Sequence, residues 1–177
     1  KSFKNNYNQL KKLINNKLWN EKEEMYLSRY WDGKWEADQG VPTITPANFT
    51  VLLAGIPSEK RAKKIVNRHL LNPAEFWGEY VLPTINKNHP DYKAPYTYWR
   101  GTIWPPTNYL VYEGLKKYGF DKVGAELAQK STELWLKPWQ QRNWAMENYN
   151  PETGLKSEMA HIPQSWSMNL TLTGLQE

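Results

Sequence analysis

Thr45-Pro46-Ala47-Asn48-Phe49-Thr50-Val51-Leu52-Leu53-Ala54-Gly55-Ile56-Pro57-Ser58-Glu59-Lys60-Arg61-Ala62-Lys63-Lys64-Ile65-Val66 is the stretch that decides the fold class. Thr45 is a good N-cap, and Pro46 suits the first helical position, where a missing N–H is no loss and a fixed φ is already helical. Phe49, Leu52 and Leu53 follow at helical spacing, and Gly55 stands where the helix should stop. Ser58 then caps a second helix. Its apolar stripe is Ala62, Ile65, Val66 and Leu70, and Asn72-Pro73 ends it. Two capped helices joined by a short turn make a helical hairpin.

The same signals recur on both sides. Residues 3–18 predict an amphipathic helix, with Phe3, Tyr7, Leu10, Ile14 and Leu18 on one face and Asn and Lys on the other. Met25 to Trp31 reads as a short β-like ribbon, turned by Asp32-Gly33 and continued by Lys34-Trp35-Glu36. A long irregular stretch runs from about Gly78 to Gly101. Pro105-Pro106 then opens a helix carrying Tyr109, Leu110, Tyr112 and Leu115, which Gly119 ends. Asp121 is expected to cap the next helix, through Ala125, Leu127, Ala128, Leu134 and Trp135 to near Pro138. A final helix is expected from about Pro163 to Leu175. Helices alternate with long loops and sustained strands are few, so the fold class is all-α, built from hairpins.

Composition narrows the function. The chain of 177 residues holds ten Trp and eleven Tyr but only four Phe. Trp and Tyr join a large apolar face to a polar edge, which suits the C–H faces and hydroxyl rims of sugars, and equally suits a small helical domain that packs its core with aromatics. The formal net charge of +5 raises nucleic acid as a partner, and a basic RNA-binding helical domain would show affinity that falls steeply with salt. The distribution argues against it. Lys11-Lys12, Lys60-Arg61, Lys63-Lys64 and Lys116-Lys117 are short pairs on polar helix faces, with acidic residues interleaved throughout. No cysteine is present, which excludes disulfides and thiol chemistry. No apolar run approaches the roughly 20 residues that span a membrane. His69, His89 and His161 lie far apart without ligand spacing. Neither a Gly-rich phosphate loop nor a Gly-x-Ser-x-Gly elbow occurs, so neither metal nor cofactor is expected. Asn48-Phe49-Thr50 and Asn169-Leu170-Thr171 fit the glycosylation pattern, but both fall in predicted helices.

Two loop segments are candidates for carrying chemistry. In Tyr96-Thr97-Tyr98-Trp99-Arg100-Gly101-Thr102-Ile103-Trp104-Pro105-Pro106, aromatic rings surround one Arg just before a helix. A guanidinium held between rings would donate to sugar hydroxyls or steady a carboxylate, or would merely anchor the loop by stacking, and Gly101 permits close backbone approach. In Glu147-Asn148-Tyr149-Asn150-Pro151, a carboxylate stands beside Met146 and near Trp144. Such a Glu in an aromatic-lined cavity would activate water as a general base. Position alone favours an ordinary surface Glu, and the segment is too short to decide. Glycosidic hydrolysis needs a second carboxyl group. Asp32, Glu36, Asp38, Glu75, Glu79, Asp91, Glu113, Glu152 and Glu158 are the candidates, and none sits where its pKa is obviously raised.

The ordered set Ile44-Thr45-Pro46-Ala47-Asn48-Phe49, Leu53-Ala54-Gly55-Ile56-Pro57, Glu75-Phe76-Trp77-Gly78, Tyr98-Trp99-Arg100-Gly101, Ile103-Trp104-Pro105 and Glu147-Asn148-Tyr149-Asn150-Pro151-Glu152-Thr153-Gly154 resembles glycoside hydrolase family sixty-three, and Ser165-Trp166-Ser167 fits the end of its barrel. That family includes processing α-glucosidases and mannosylglycerate hydrolases and is related to the trehalases. The resemblance implies an (α/α)6 barrel and hydrolysis of an α-glycosidic bond with inversion. It implies Glu147 as general base. Tyr98, Trp99, Arg100, Gly101, Trp104 and Tyr149 would line the substrate pocket, with Trp77 and Phe76 on the same wall. The family's acid is an Asp in a Gly-Trp-Asp-like motif, which this chain lacks. Residues 1–177 are therefore expected to be the C-terminal portion of one barrel domain, with the N-terminal half as partner and an α-linked glycoside as substrate. The rival reading is a carbohydrate-binding or scaffolding protein that keeps the pocket without the acid.

Overall fold

The computed structural model of the protein describes residues 2–93, 98–157, 160–161 and 165–177. Its helices are α1 (Phe3–Lys17), α2 (Pro46–Leu53), α3 (Glu59–Ile65), α4 (Pro105–Lys117), α5 (Asp121–Arg142) and α6 (Met168–Leu175). The regular strands among the described residues are two short pieces, β1 (Trp19–Asn20) and β2 (Met25–Tyr26), paired antiparallel. The all-α reading stands.

The first hairpin forms for the reasons its sequence gives. Thr45 donates from both its backbone N–H and its hydroxyl to Asn48 Oδ1, at 2.8 and 2.9 Å, so the helix opens with its ends satisfied. Phe49 and Leu52 face inward and are fully buried. Ser58 Oγ accepts from the Arg61 N–H at 3.3 Å and caps α3. Past Ile65 the helix widens into a π turn, Val66–Leu70. The extra residue in that turn carries His69 inward, where Glu75 Oε2 lies 2.8 Å from Nδ1 and the Glu23 carbonyl 2.6 Å from Nε2. Helical periodicity alone does not announce such a turn.

Several boundaries differ from expectation. Asp121 is the first residue of α5 and Phe120 its cap. The helix continues through Pro138 to Arg142 and closes on Asn143 in the left-handed conformation. Proline at that place removes one intrahelical bond without breaking the helix; Pro138 is buried, and Lys137 beside it donates to the Tyr80 hydroxyl. The ribbon expected over residues 25–31 reduces to the β1–β2 pair and one bridge, Arg29 to Trp35, across the Asp32-Gly33 turn. On α1, Ile14 and Leu18 pack against the core, whereas Phe3 and Leu10 are 94% and 57% exposed. On α4, Asn108, Val111, Tyr112 and Leu115 turn inward, while Leu110 faces out. Pro163, the expected start of α6, lies outside the described residues.

The main core joins α1, the hairpin strands, α2, α3, α4 and the start of α5. Phe49 meets Phe76 edge-to-face, ring centroids 5.1 Å apart. Gly114 lets α4 lie directly on α2, since a Cβ there would stand 2.9 Å from Leu52 Cβ and from Leu53 N. These C-terminal halves touch, so the loops preceding the two helices gather at one end of the pair. There Ile44 and Asn86 exchange bonds, each 2.9 Å long, between segments more than one hairpin apart. A smaller core holds Tyr80, Ile103, Leu134, Met146, Tyr149 and Leu170. It seats the second loop cluster against α5 and α6.

Candidate active site

Single backbone bridges build the floor of the site. Pro83 pairs with Ile103, Ile103 with Tyr149, and Tyr149 with Lys156, all antiparallel. The central pair is closed by Ile103 N–H to the Tyr149 carbonyl at 2.8 Å and the reverse at 2.9 Å. Segments far apart in sequence are thereby locked side by side, and each bridge is too short to leave a strand-like pattern. Trp104 follows Ile103, and Glu147 lies two residues before Tyr149.

Glu147 is 7% exposed. The Tyr98 hydroxyl donates to its Oε1 at 2.9 Å, and the His161 backbone N–H donates to its Oε2 at 3.1 Å. The Glu147 N–H in turn donates to the His161 carbonyl at 3.2 Å, so the residue is held at both backbone and carboxylate. Asn148 Nδ2 stands 3.5 Å from Oε2, and the Ser157 hydroxyl donates to the Asn148 amide oxygen. A carboxylate fixed by separate donors on each oxygen keeps its remaining lone pairs in one direction, as a base acting on water requires. Burial, and then the bond to Glu147, push the Tyr98 hydroxyl above its ordinary range. Tyr98 therefore stays a neutral donor across physiological pH.

Next to the carboxylate is an aromatic stack. Trp99 lies on Trp104 with centroids 4.1 Å apart and planes 7° from parallel. Tyr98 meets Trp104 edge-on at 4.7 Å, and Trp166 leans on it at 5.3 Å. Trp99 and Trp166 are each about half exposed, whereas Trp104 is 1% exposed. The outward face of the stack is thus Trp99 and Trp166, with Trp104 as its underside.

Of the expected pocket residues, Tyr98, Trp99, Trp104 and Glu147 come together. Gly101 is buried at φ 145°, a conformation that favours glycine, and its N–H donates to Thr84 Oγ1 at 3.0 Å. Arg100 is exposed, and among the described residues no ring stacks on its guanidinium. The rings satisfy each other instead. Tyr149 is fully enclosed and serves as floor rather than contact. Trp77 bonds through Nε1 to Glu126 at 2.9 Å with Lys130 over its ring, so its contacts run to α5. Phe76 is fully buried against Phe49. Tyr96, Thr97 and Glu158 lie outside the described residues. Among those described, no second carboxylate shares the hydrogen bonds of Glu147. Asp32 pairs with Lys34 at 3.0 Å, and Glu75 is committed to His69. The sequence reading missed Ser157, Trp166 and the His161 backbone, whose roles arise only when distant loops meet.

Known proteins resemble the chain over most of its length. Residues 1–167 match the family described as the mannosylglycerate hydrolase MGH1-like glycoside hydrolase domain. The chain is 34% identical over 140 residues to a mannosylglycerate hydrolase of Thermus thermophilus, covering 77% of this chain and 30% of that protein. It is 32% identical over 120 residues to mannosylglycerate hydrolase MGH1 of Selaginella moellendorffii, covering 66% of this chain and 22% of that one. Among solved structures, a GH63 mannosylglycerate hydrolase of Thermus thermophilus in complex with Tris superimposes with a TM-score of 0.67 at 25% identity, over 90% of this chain and 34% of that one. Neutral trehalase Nth1 of Saccharomyces cerevisiae shares the fold, with a TM-score of 0.68 at 20% identity over 94% of this chain and 28% of its own. The chain thus spans about a third or less of the relatives it matches, and its hairpins are those of part of an (α/α)6 barrel. On the family match and these relatives together, the chain belongs to the mannosylglycerate hydrolase MGH1-like glycoside hydrolases.

Proposed function

We propose that this chain supplies the base side of an inverting α-glycosidase site, acting on mannosylglycerate or a closely similar α-linked glycoside. The observation that carries the reading is the carboxylate of Glu147, buried, held by separate donors on its two oxygens and set beside the Trp99–Trp104 stack. Glu147 takes a proton from a water on one side of the sugar. The oxygen of that water attacks the anomeric carbon as the glycosidic bond breaks. A carboxylic acid from outside this chain protonates the departing oxygen. Trp99 and Trp166 stack on the substrate, Tyr98 orients the base, and Arg100 on the rim offers its guanidinium to hydroxyls or to an acidic group of the substrate. The mannosylglycerate hydrolases among the relatives favour that substrate class.

Glu147→Gln in the full-length protein tests this, with mannosylglycerate hydrolysis followed by NMR. Turnover should fall roughly 10²–10⁴-fold, and the wild type should release the β-anomer first. Near-normal turnover in the variant would remove Glu147 from the chemistry. An α-anomer as first product would remove inversion. A wild type that binds the sugar without cleaving it would leave a binding protein.

A further inference from the structure

Tyr98 can hold Glu147 only if its own backbone is held, and one side chain completes that support. The Tyr98 carbonyl accepts from Trp104 Nε1 at 3.0 Å and from the Thr102 hydroxyl. Trp104 Nε1 also donates to Thr102 Oγ1 at 3.0 Å. Thr102 Oγ1 therefore accepts from the indole and donates to the carbonyl, closing a triangle among residues 98, 102 and 104. Both Thr102 and Trp104 are 1% exposed, so water does not replace these bonds. The Thr102 backbone is fixed as well, its carbonyl accepting from the Thr84 N–H at 3.0 Å. Among the described residues, Thr102 makes no hydrogen bond to Glu147.

We propose that Thr102 is a positioning residue for this site, its hydroxyl fixing the Tyr98 carbonyl so that the Tyr98 phenol reaches Glu147 Oε1. The inference rests on Glu147 being the base. Only the hydroxyl matters in it. A valine of the same shape leaves the Trp104-to-Tyr98 bond and the packing in place, yet frees residue 98 to turn. Displacement of a catalytic group's support by a fraction of an ångström costs rate rather than substrate affinity.

The test uses the full-length protein with Thr102→Val, Thr102→Ser, Tyr98→Phe and the double variant Thr102→Val/Tyr98→Phe, assayed on mannosylglycerate. Thr102→Val should lower kcat about tenfold with KM changed by less than about twofold, and Thr102→Ser should restore most of the rate. The double variant should be no slower than Tyr98→Phe alone, because both changes remove one interaction. Wild-type rates in Thr102→Val, failure of serine to rescue, or multiplying losses in the double variant would each overturn the proposal. A second readout does not depend on turnover. With ring-labelled tyrosine and Tyr98→Phe for assignment, the Tyr98 signal should titrate above the ordinary tyrosine range and fall back toward it in Thr102→Val. An unchanged titration would overturn the role of Thr102 even in a protein that hydrolyses nothing. Normal turnover in Glu147→Gln would instead sink the functional reading while this signal still judged Thr102.

Discussion

The hairpin core and the loop cluster around Glu147 are built on opposite rules. Around α2, α3 and α4, apolar side chains recur every three or four residues and bury one another, with the backbone satisfied inside each helix. Around Glu147, the backbone bonds cross between loops, and the side chains bond to whatever the crossing brings near. The first region derives its stability from area removed from water. The second uses directional bonds to hold a charged group in place. Damage to the core should therefore appear as lost stability, and damage to the loops as lost binding or turnover.

Phe49→Ala should have the largest effect on stability of the full-length protein. The ring is fully buried against Phe76, and its removal should cost about 3–5 kcal/mol in urea unfolding. A loss under about 1 kcal/mol would mean that α2 is not part of the core. Gly114→Ala comes next. Its methyl would stand 2.9 Å from α2, so the helices must part, at roughly 1–3 kcal/mol. An unchanged midpoint would show that the α2–α4 approach is looser than the structure has it. Trp99→Ala reverses the pattern, because the ring is 54% exposed. Stability should move by about 0.5 kcal/mol or less, while sugar affinity, measured by calorimetry, falls roughly tenfold, the loss of one stacked ring. Equal binding with lowered stability would make the stack a support for the loop rather than a surface for sugar.

The same contrast explains what was legible in the sequence. Thr45, Pro46, Phe49, Leu52 and Ser58 announce their helices locally, because capping and periodicity act within a few residues. The motif Tyr98-Trp99-Arg100-Gly101 and the Glu147 loop were visible as candidates because of their composition. Their arrangement was not. That Trp104 would turn under Trp99, that Tyr149 would become floor, and that Trp77 would bond to Glu126 depend on which segments the bridges at Ile103 and Tyr149 bring together. The π turn at Val66–Leu70 and the passage of α5 through Pro138 escaped for a related reason. In both, tertiary packing overrides the local rule.

The ladder from Pro83 through Ile103 and Tyr149 to Lys156 has a consequence for how such a site can change over time. Its rungs are peptide groups, so the bonds themselves do not read side-chain identity, and substitution along them is limited only where a side chain such as Ile103 or Tyr149 also fills the small core. Spacing is what they enforce. Tyr149 is fixed to Ile103 by two bonds, and two residues earlier the Glu147 N–H is fixed to the His161 carbonyl. One residue inserted between them would have to break one of these attachments and displace the carboxylate. Divergence within this loop is thus open in identity and closed in length.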